Sequence, residues 1–101
     1  MITGVTCCDL NNFVKAMADE NRQRIMALLQ QGEMSVSELV EHFSVTQPTI
    51  SHHLAILRRA HLVTIQHRGQ WVYYKSNPDC VVECCNEILR LFPTNQEEKE
   101  P

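Results

Sequence analysis

The 101 residues of this chain suffice for one compact domain and are too few for two. The composition, with 44% hydrophobic residues, argues against a disordered chain, and no apolar run approaches the roughly 20 residues that span a bilayer. The net charge of −3 would by itself argue against a nucleic-acid partner. Charge position matters more than the sum, however, because salt screens phosphate attraction beyond roughly 8–10 Å.

Four helices are predicted in the first sixty residues. Asp9 can cap the first of them, and a second helix ends at Gly32, since glycine suits the left-handed position that follows a helix. Ser35 and Glu38 have the spacing of a capping box at the start of a short third helix. Thr46 is the natural N-cap of the fourth helix.

A β-hairpin and a fifth helix are predicted to follow. Two β-rich runs, 62–65 and 71–74, flank five polar residues in which Gly69 supplies the positive φ of a turn, and Trp71 is expected to pack within the hairpin. Asp79 is expected to cap the last helix. The sequence thus predicts a single domain over residues 1–92 and a disordered acidic tail over 93–101.

The stretch from Ser44 to Lys75 contains no Asp or Glu, although the chain as a whole is acidic. A segment kept free of carboxylates in an acidic protein indicates a face reserved for a polyanion. Its basic side chains and histidines are Arg58, Arg59, Arg68, Lys75, His52, His53, His61 and His67.

The third and fourth predicted helices have the spacing of a helix-turn-helix, whose second helix enters the DNA major groove. Gln47 can bond adenine bidentately, and the methyl group of Thr49 can meet that of thymine. The hairpin tip carries Arg68, within reach of the minor groove or the backbone. His53 falls on the apolar side of the helix and is interpreted as a packing residue. The predicted DNA-binding residues are Thr46, Gln47, Thr49, Ser51, His52, Arg58, Arg59 and Arg68.

Two other classes of function compete with DNA binding. A winged-helix module that docks an acidic protein would use the same basic surface, and it would show no salt-dependent duplex binding. A cysteine enzyme with His52 or His53 as base is disfavoured, because the cysteines lie at the chain ends and no oxyanion-forming glycine motif is present. The chain is therefore not expected to be an enzyme.

Four segments resemble the ArsR/SmtB family of winged-helix repressors: AMADENRQRIMALLQ, EMSVSELVEHF, TQPTISHHLAILRRAHLV and RGQWVYY. Together they cover about residues 13–76. The resemblance implies a mainly helical winged helix-turn-helix with a β-hairpin wing, in a homodimer that pairs its first and last helices. It also implies repression of operons by binding double-stranded operator DNA, with release by an inducer. No membrane partner is expected.

The chain has five cysteines, Cys7, Cys8, Cys80, Cys84 and Cys85. The N-terminus lacks the features of a signal peptide, so a cytoplasmic location is expected. An odd number of cysteines there argues against a structural disulfide framework and favours free thiols, metal ligands or redox chemistry. Two sites implied by the resemblance are missing: residues 33–40 contain no thiol, and no His follows residue 67 to supply a zinc site on the last helix.

The remaining cysteines predict a site for a soft metal ion. Cys80 and Cys84 are four residues apart and stack about 6 Å from each other on one helix face. Cys85 lies about 140° around the helix from Cys80, so it can join them only if the helix distorts, and otherwise Cys7 or Cys8 would complete the site. Three thiolates suit As(III), as an inducer rather than a required cofactor. Cysteines that only pack, and a thiol redox or persulfide switch, remain open alternatives.

Overall fold

The computed structural model describes residues 8–93. Their element order confirms the mainly helical prediction with one hairpin. Cys7 and the predicted tail from residue 94 onward lie outside the described residues. The elements are α1 (Leu10–Met17), α2 (Glu20–Gln30), α3 (Val36–Val40), α4 (Gln47–Arg59), β1 (Val63–Arg68), β2 (Trp71–Ser76) and α5 (Pro78–Leu91).

The first three helices begin at side-chain caps that the sequence makes available. The Asp9 carboxylate accepts a hydrogen bond from the Asn12 backbone N–H at 3.2 Å. In the predicted capping box, the Ser35 hydroxyl accepts from the Glu38 N–H at 3.2 Å, and the Glu38 carboxylate accepts from the Ser35 N–H at 2.9 Å. Each such cap stabilises a helix by about 1 kcal/mol, which matters for a five-residue helix such as α3.

The start of α5 differs from the prediction. Asn77 occupies the N-cap position and Pro78 the first turn, with Asp79 inside the helix rather than at its cap. Proline is tolerated there because its missing N–H would have no intrahelical partner in any case. The Asp79 carboxylate still lies near the positive end of the helix dipole.

The C-terminus of α4 turns the chain into the hairpin through a left-handed residue. His61 has φ 63°, the Leu62 N–H donates to the Leu57 carbonyl at 3.0 Å, and the His61 N–H donates to the Arg58 carbonyl at 2.9 Å. This pair of bonds is the Schellman arrangement, with histidine at the position that glycine usually occupies. It fixes the direction in which β1 leaves α4.

The hairpin is longer than the two predicted runs. Antiparallel pairing continues to Arg68 and Trp71, so the turn contains only Gly69 and Gln70. Gly69 has φ 62°, as the first central residue of a type II′ turn requires. The polar residues after position 65 are accommodated in the strand because the tip of the hairpin projects beyond the helices.

A third backbone segment pairs with the hairpin. The Met34 N–H donates to the Tyr74 carbonyl at 3.0 Å, and the Tyr74 N–H donates to the Met34 carbonyl at 2.7 Å. This isolated bridge lies on the edge of β2 opposite β1. It ties the segment before α3 to the base of the wing.

The core lies between α2, α3, α4 and the start of the hairpin. α1 adds Phe13 and Ala16 to this core, whereas α5 buries only Cys80 and Cys84 of its own side chains. The large core residues that are fully buried are Ile25, Leu39, Ile50, Leu54, Leu57, Leu62 and Val63. Because three of them belong to α4, packing holds that helix firmly while its other side faces solvent.

Candidate DNA-binding surface and cysteine cluster

The outer side of α4 is a continuous polar and basic surface. Ile50, His53, Leu54 and Leu57 are buried on one side of α4, so the opposite side of the helix faces outward. Thr49 is half-buried, and its hydroxyl lies 3.2 Å from the hydroxyl of Thr46, which makes no side-chain bond to the backbone at the helix start. The exposed residues among the predicted contacts are Thr46, Gln47, Ser51, His52, Arg58 and Arg59.

A cleft of about 400 Å³ separates α4 from the wing. Two guanidinium groups, from Arg58 and Arg59, and the Ser51 side chain line it together with Tyr74 of β2. Such a set of donors suits a phosphate oxygen passing between helix and wing. Tyr74 is not among the contacts predicted from the sequence, because nothing local to it shows that β2 lies beside α4.

The tip of the wing carries Arg68 and Trp71, which pair across the strands. Trp71 is 58% exposed, so the expectation that it packs within the hairpin is wrong. Its position at the last pair before the turn explains this, because no helix reaches that far. The Arg68 guanidinium lies 5.3 Å from the centre of the Tyr73 ring and forms an ion pair with Glu33.

The prediction that His53 is a packing residue is confirmed. Its side chain is buried, and Nδ1 lies 3.1 Å from Nη1 of Arg22, which donates to it. Burial lowers the pKa of His53, and the Arg22 charge acts in the same direction, against the opposing effect of Asp19. Neutral imidazole is therefore the form that fits here, as an acceptor rather than a DNA contact.

The Arg22 side chain also connects α1 to this position. Its Nε donates to the Ala16 carbonyl at 2.7 Å, and its Nη2 donates to the Lys15 carbonyl at 3.2 Å. Both carbonyls lie in the last turn of α1, where carbonyls run short of N–H donors, and that of Lys15 also accepts from the Ala18 N–H at 3.3 Å. One guanidinium thus joins the end of α1 to the buried side of α4.

Cys8 and Cys84 are joined in a disulfide, with their Cα atoms 5.4 Å apart at a sequence separation of 76. The expectation against disulfides does not hold in this structure, because the segment before α1 runs alongside α5. Cys80 is buried and is also disulfide-bonded, and its sulfur accepts a hydrogen bond from Asn77 Nδ2 at 3.2 Å. Cys85 is an exposed free thiol.

The three cysteines of α5 therefore do not converge. Cys80 and Cys84 are buried on the inner side of the helix, while Cys85 is exposed, as their positions around an undistorted helix require. Between residues 8 and 93, no group of three or more His, Cys, Asp or Glu side chains is arranged to hold a metal ion. The structure instead brings Cys8, one of the alternative ligands, next to Cys84.

None of the helices within residues 8–93 is both long and apolar enough to cross a membrane.

Comparison with known proteins gave consistent matches. The family described as "Bacterial regulatory protein, arsR family" matches residues 19–64. The transcriptional repressor SdpR of Bacillus subtilis is 38% identical over 83 residues, which are 82% of this chain and 92% of SdpR. The arsenical resistance operon repressor of Staphylococcus aureus is 38% identical over 88 residues, 87% of this chain and 85% of that repressor.

A solved structure, "Possible transcriptional regulator for arsenical resistance", has a similar fold. It superposes with a TM-score of 0.74 at 28% identity and covers 86% of this chain and 91% of its own. The winged-helix arrangement predicted from the sequence is thereby confirmed.

Proposed function

This chain belongs to the ArsR family of winged-helix transcriptional regulators, and we propose that it is a homodimeric repressor released from its operator by a thiophilic metalloid such as As(III). Proteins of this family are DNA-binding regulators and not enzymes, and repressors are among the relatives of this chain. The observation that carries the proposal is the exposed acid-free side of α4 beside a basic cleft and a wing.

The homodimer is supported by apolar side chains that the single chain leaves in water. They are large and 50–65% exposed, and apart from Trp71 at the tip of the wing they lie on α1, on α5 or directly after α5. Burying a Val, Leu or Phe side chain fully is worth about 1.5–3 kcal/mol. A two-fold pairing of α1 and α5 buries this set of side chains on both protomers. The residues are Val14, Val82, Leu89, Leu91 and Phe92.

In the proposed complex, each α4 lies in a major groove, and the two copies are one helical turn of DNA apart. Gln47 and Thr49 in the first turn face the base edges, and Ser51 and His52 lie beside them. Arg58 and the other basic side chains further along the helix and at the wing contact phosphates. Base preference therefore resides mainly in the first turn of α4, and salt-dependent affinity in the arginines.

The proposed inducer site uses Cys84, Cys80 and Cys8, with Cys85 outside it. In the reduced protein, Cys8 and Cys84 are close enough to share one arsenic atom, and Cys80 is one turn from Cys84 on the same inner side. As(OH)₃ reacts with three thiols to form three As–S bonds and releases three water molecules. The soft thiolate donors match the soft As(III) centre.

Binding at this site acts on DNA from a distance. The cysteines lie on α5 and before α1, outside the acid-free stretch, and both elements belong to the proposed dimer contact. Arsenic that pulls the start of the chain and α5 together would change how two protomers meet. The spacing of the two α4 helices would then no longer match successive major grooves.

The test is a duplex-binding titration on protein reduced with a phosphine, because dithiol reductants chelate arsenite themselves. Arsenite should lower duplex affinity at least fivefold in the wild-type protein, within the range typical of coupling between sites. Cys84→Ser should abolish the response, and Cys85→Ser, the matched control, should keep it. If Cys84→Ser and wild type respond alike, or neither responds, the inducer proposal fails while repression remains.

A second candidate, a thiol redox switch, is favoured by the Cys8–Cys84 disulfide itself. Two thiols lose two electrons and two protons to an oxidant such as peroxide, which is reduced to water. Sulfur atoms in a disulfide cannot bind arsenite, so a protein molecule with the disulfide formed cannot respond to arsenite through the same cysteines. Peroxide-dependent loss of duplex binding that a reductant reverses, without any effect of arsenite on reduced protein, would favour the redox switch.

A further inference from the structure

The fold brings one acidic side chain to the wing from outside the acid-free stretch. Glu33 lies before α3, in a part of the chain that the sequence does not connect with the hairpin. The adjacent residue, Met34, forms the backbone bridge to Tyr74 at the far edge of β2. This bridge places the Glu33 carboxylate on the wing, where it forms an ion pair with Arg68.

The ion pair draws Arg68 away from the turn. Arg68 and Trp71 are a cross-strand pair, as are Gln66 and Tyr73, and alternate pairs share one side of a hairpin. The guanidinium extends over the Tyr73 ring, at 5.3 Å from its centre, toward Glu33 beyond the edge of β2. The indole of Trp71 is left exposed at the tip.

The arginine is held but not enclosed. Its side chain is 57% exposed and that of Glu33 is 24% exposed, so solvent reaches the pair mainly from the side of the arginine. Exposed ion pairs are weak and are screened by salt. Arg68 can therefore exchange Glu33 for another anion without repacking the core.

We propose that Glu33 sets the DNA affinity of this protein by competing with a DNA phosphate for Arg68. The inference rests on the proposed function, in which the wing lies against the duplex. When the protein binds DNA, the guanidinium must leave the carboxylate before it can contact phosphate. Glu33 thereby weakens binding to any sequence, and the contacts of α4 with bases become a larger share of the total.

The test compares variants that separate the contact from the charge. Glu33→Asp keeps the charge but shortens the side chain by one methylene group, so it weakens the contact and leaves the long-range field unchanged. Glu33→Gln removes the charge and with it the ion pair, and leaves only a neutral amide acceptor. Glu87→Gln is the matched control, because it also removes one charge and one exposed ion pair, with Arg90 on α5 at 2.6 Å.

Affinity is measured by fluorescence anisotropy on a mixed-sequence 30-base-pair duplex at low salt, with thermal unfolding to confirm that each variant is folded. Glu33→Gln should bind about two- to fivefold more tightly than wild type, and Glu33→Asp should show part of that gain. Both gains should shrink at high salt. Glu87→Gln should bind as the wild type does.

The same substitutions in an Arg68→Ala background complete the test. Glu33→Asp should then have no effect, because the group it competes for is absent. Equal affinity of wild type and Glu33→Asp, while Arg68→Ala weakens binding, would overturn this inference and leave the proposed function standing. Absence of salt-dependent duplex binding by the wild-type protein would overturn both.

Discussion

Replacing Arg22 tests whether one guanidinium joins α1 to α4. Arg22→Ala removes its bonds to the carbonyls of Ala16 and Lys15 and to Nδ1 of His53. A hydrogen bond from a charged donor contributes about 1.5–3 kcal/mol. The bond to Lys15 is exposed and adds little, whereas the other two are part-buried, so two bonds at the lower end apply. The loss also leaves the buried Nδ1 atom of His53 without its hydrogen-bond donor. We expect the free energy of unfolding to fall by about 2–4 kcal/mol.

The measurement is urea unfolding of the reduced protein, followed by circular dichroism at one fixed protein concentration, because the proposed dimer would make stability depend on concentration. Arg24→Ala is the matched control on the same helix. Arg24 is exposed, and its guanidinium lies 5.0 Å from the centre of the Phe43 ring, a contact worth about 0.5–1 kcal/mol. If the two variants lose the same stability, Arg22 does not join α1 to α4 in the way described.

Three further predictions concern pH, backbone strain and base reading. Burial lowers the pKa of folded His53 below its unfolded value of about 6.5. The unfolded state therefore takes up the proton first, and the free energy of unfolding should fall as pH falls below about 6.5. His53→Asn should flatten this pH dependence in urea titrations, and an unchanged pH dependence would contradict the assignment. His61→Gly relieves the φ of 63° and should raise the free energy of unfolding by about 0.5–1 kcal/mol, whereas a loss of stability would show that the side chain is needed. On duplexes selected from a random library, Gln47→Ala should relax base preference and Arg68→Ala should weaken all sequences alike. Equal losses on selected and random duplexes for both variants would be inconsistent with these roles.

Much of the fold could be predicted because it depends on rules that act within a few residues. The capping box of Ser35 and Glu38, the turn at Gly69 and the end of α4 near His61 all follow from local backbone chemistry. The interpretation of His53 followed from helical periodicity, since it shares a side of α4 with Ile50. These local features together produce the order of helices and hairpin that the structure shows.

The features that the sequence did not predict depend on contacts between distant residues. The disulfide of Cys8 with Cys84 spans 76 residues, and no spacing rule connects two such positions. Glu33 reaches Arg68 only because a single β-bridge brings the segment before α3 to the wing. The exposure of Trp71 reflects how far the hairpin projects beyond the helices, a quantity fixed by packing and not by strand propensity.

The salt dependence of duplex binding tests the central claim most directly. Each chain has four cationic side chains in the acid-free stretch, Arg58, Arg59, Arg68 and Lys75, and the proposed dimer has twice that number. If all of them contact phosphates, the logarithm of the binding constant should fall against the logarithm of salt concentration with a slope approaching about −7. A steep slope of several units agrees with the claim, provided that the slope becomes shallower by about 1 for every arginine side chain lost from the complex. A slope near zero would contradict it.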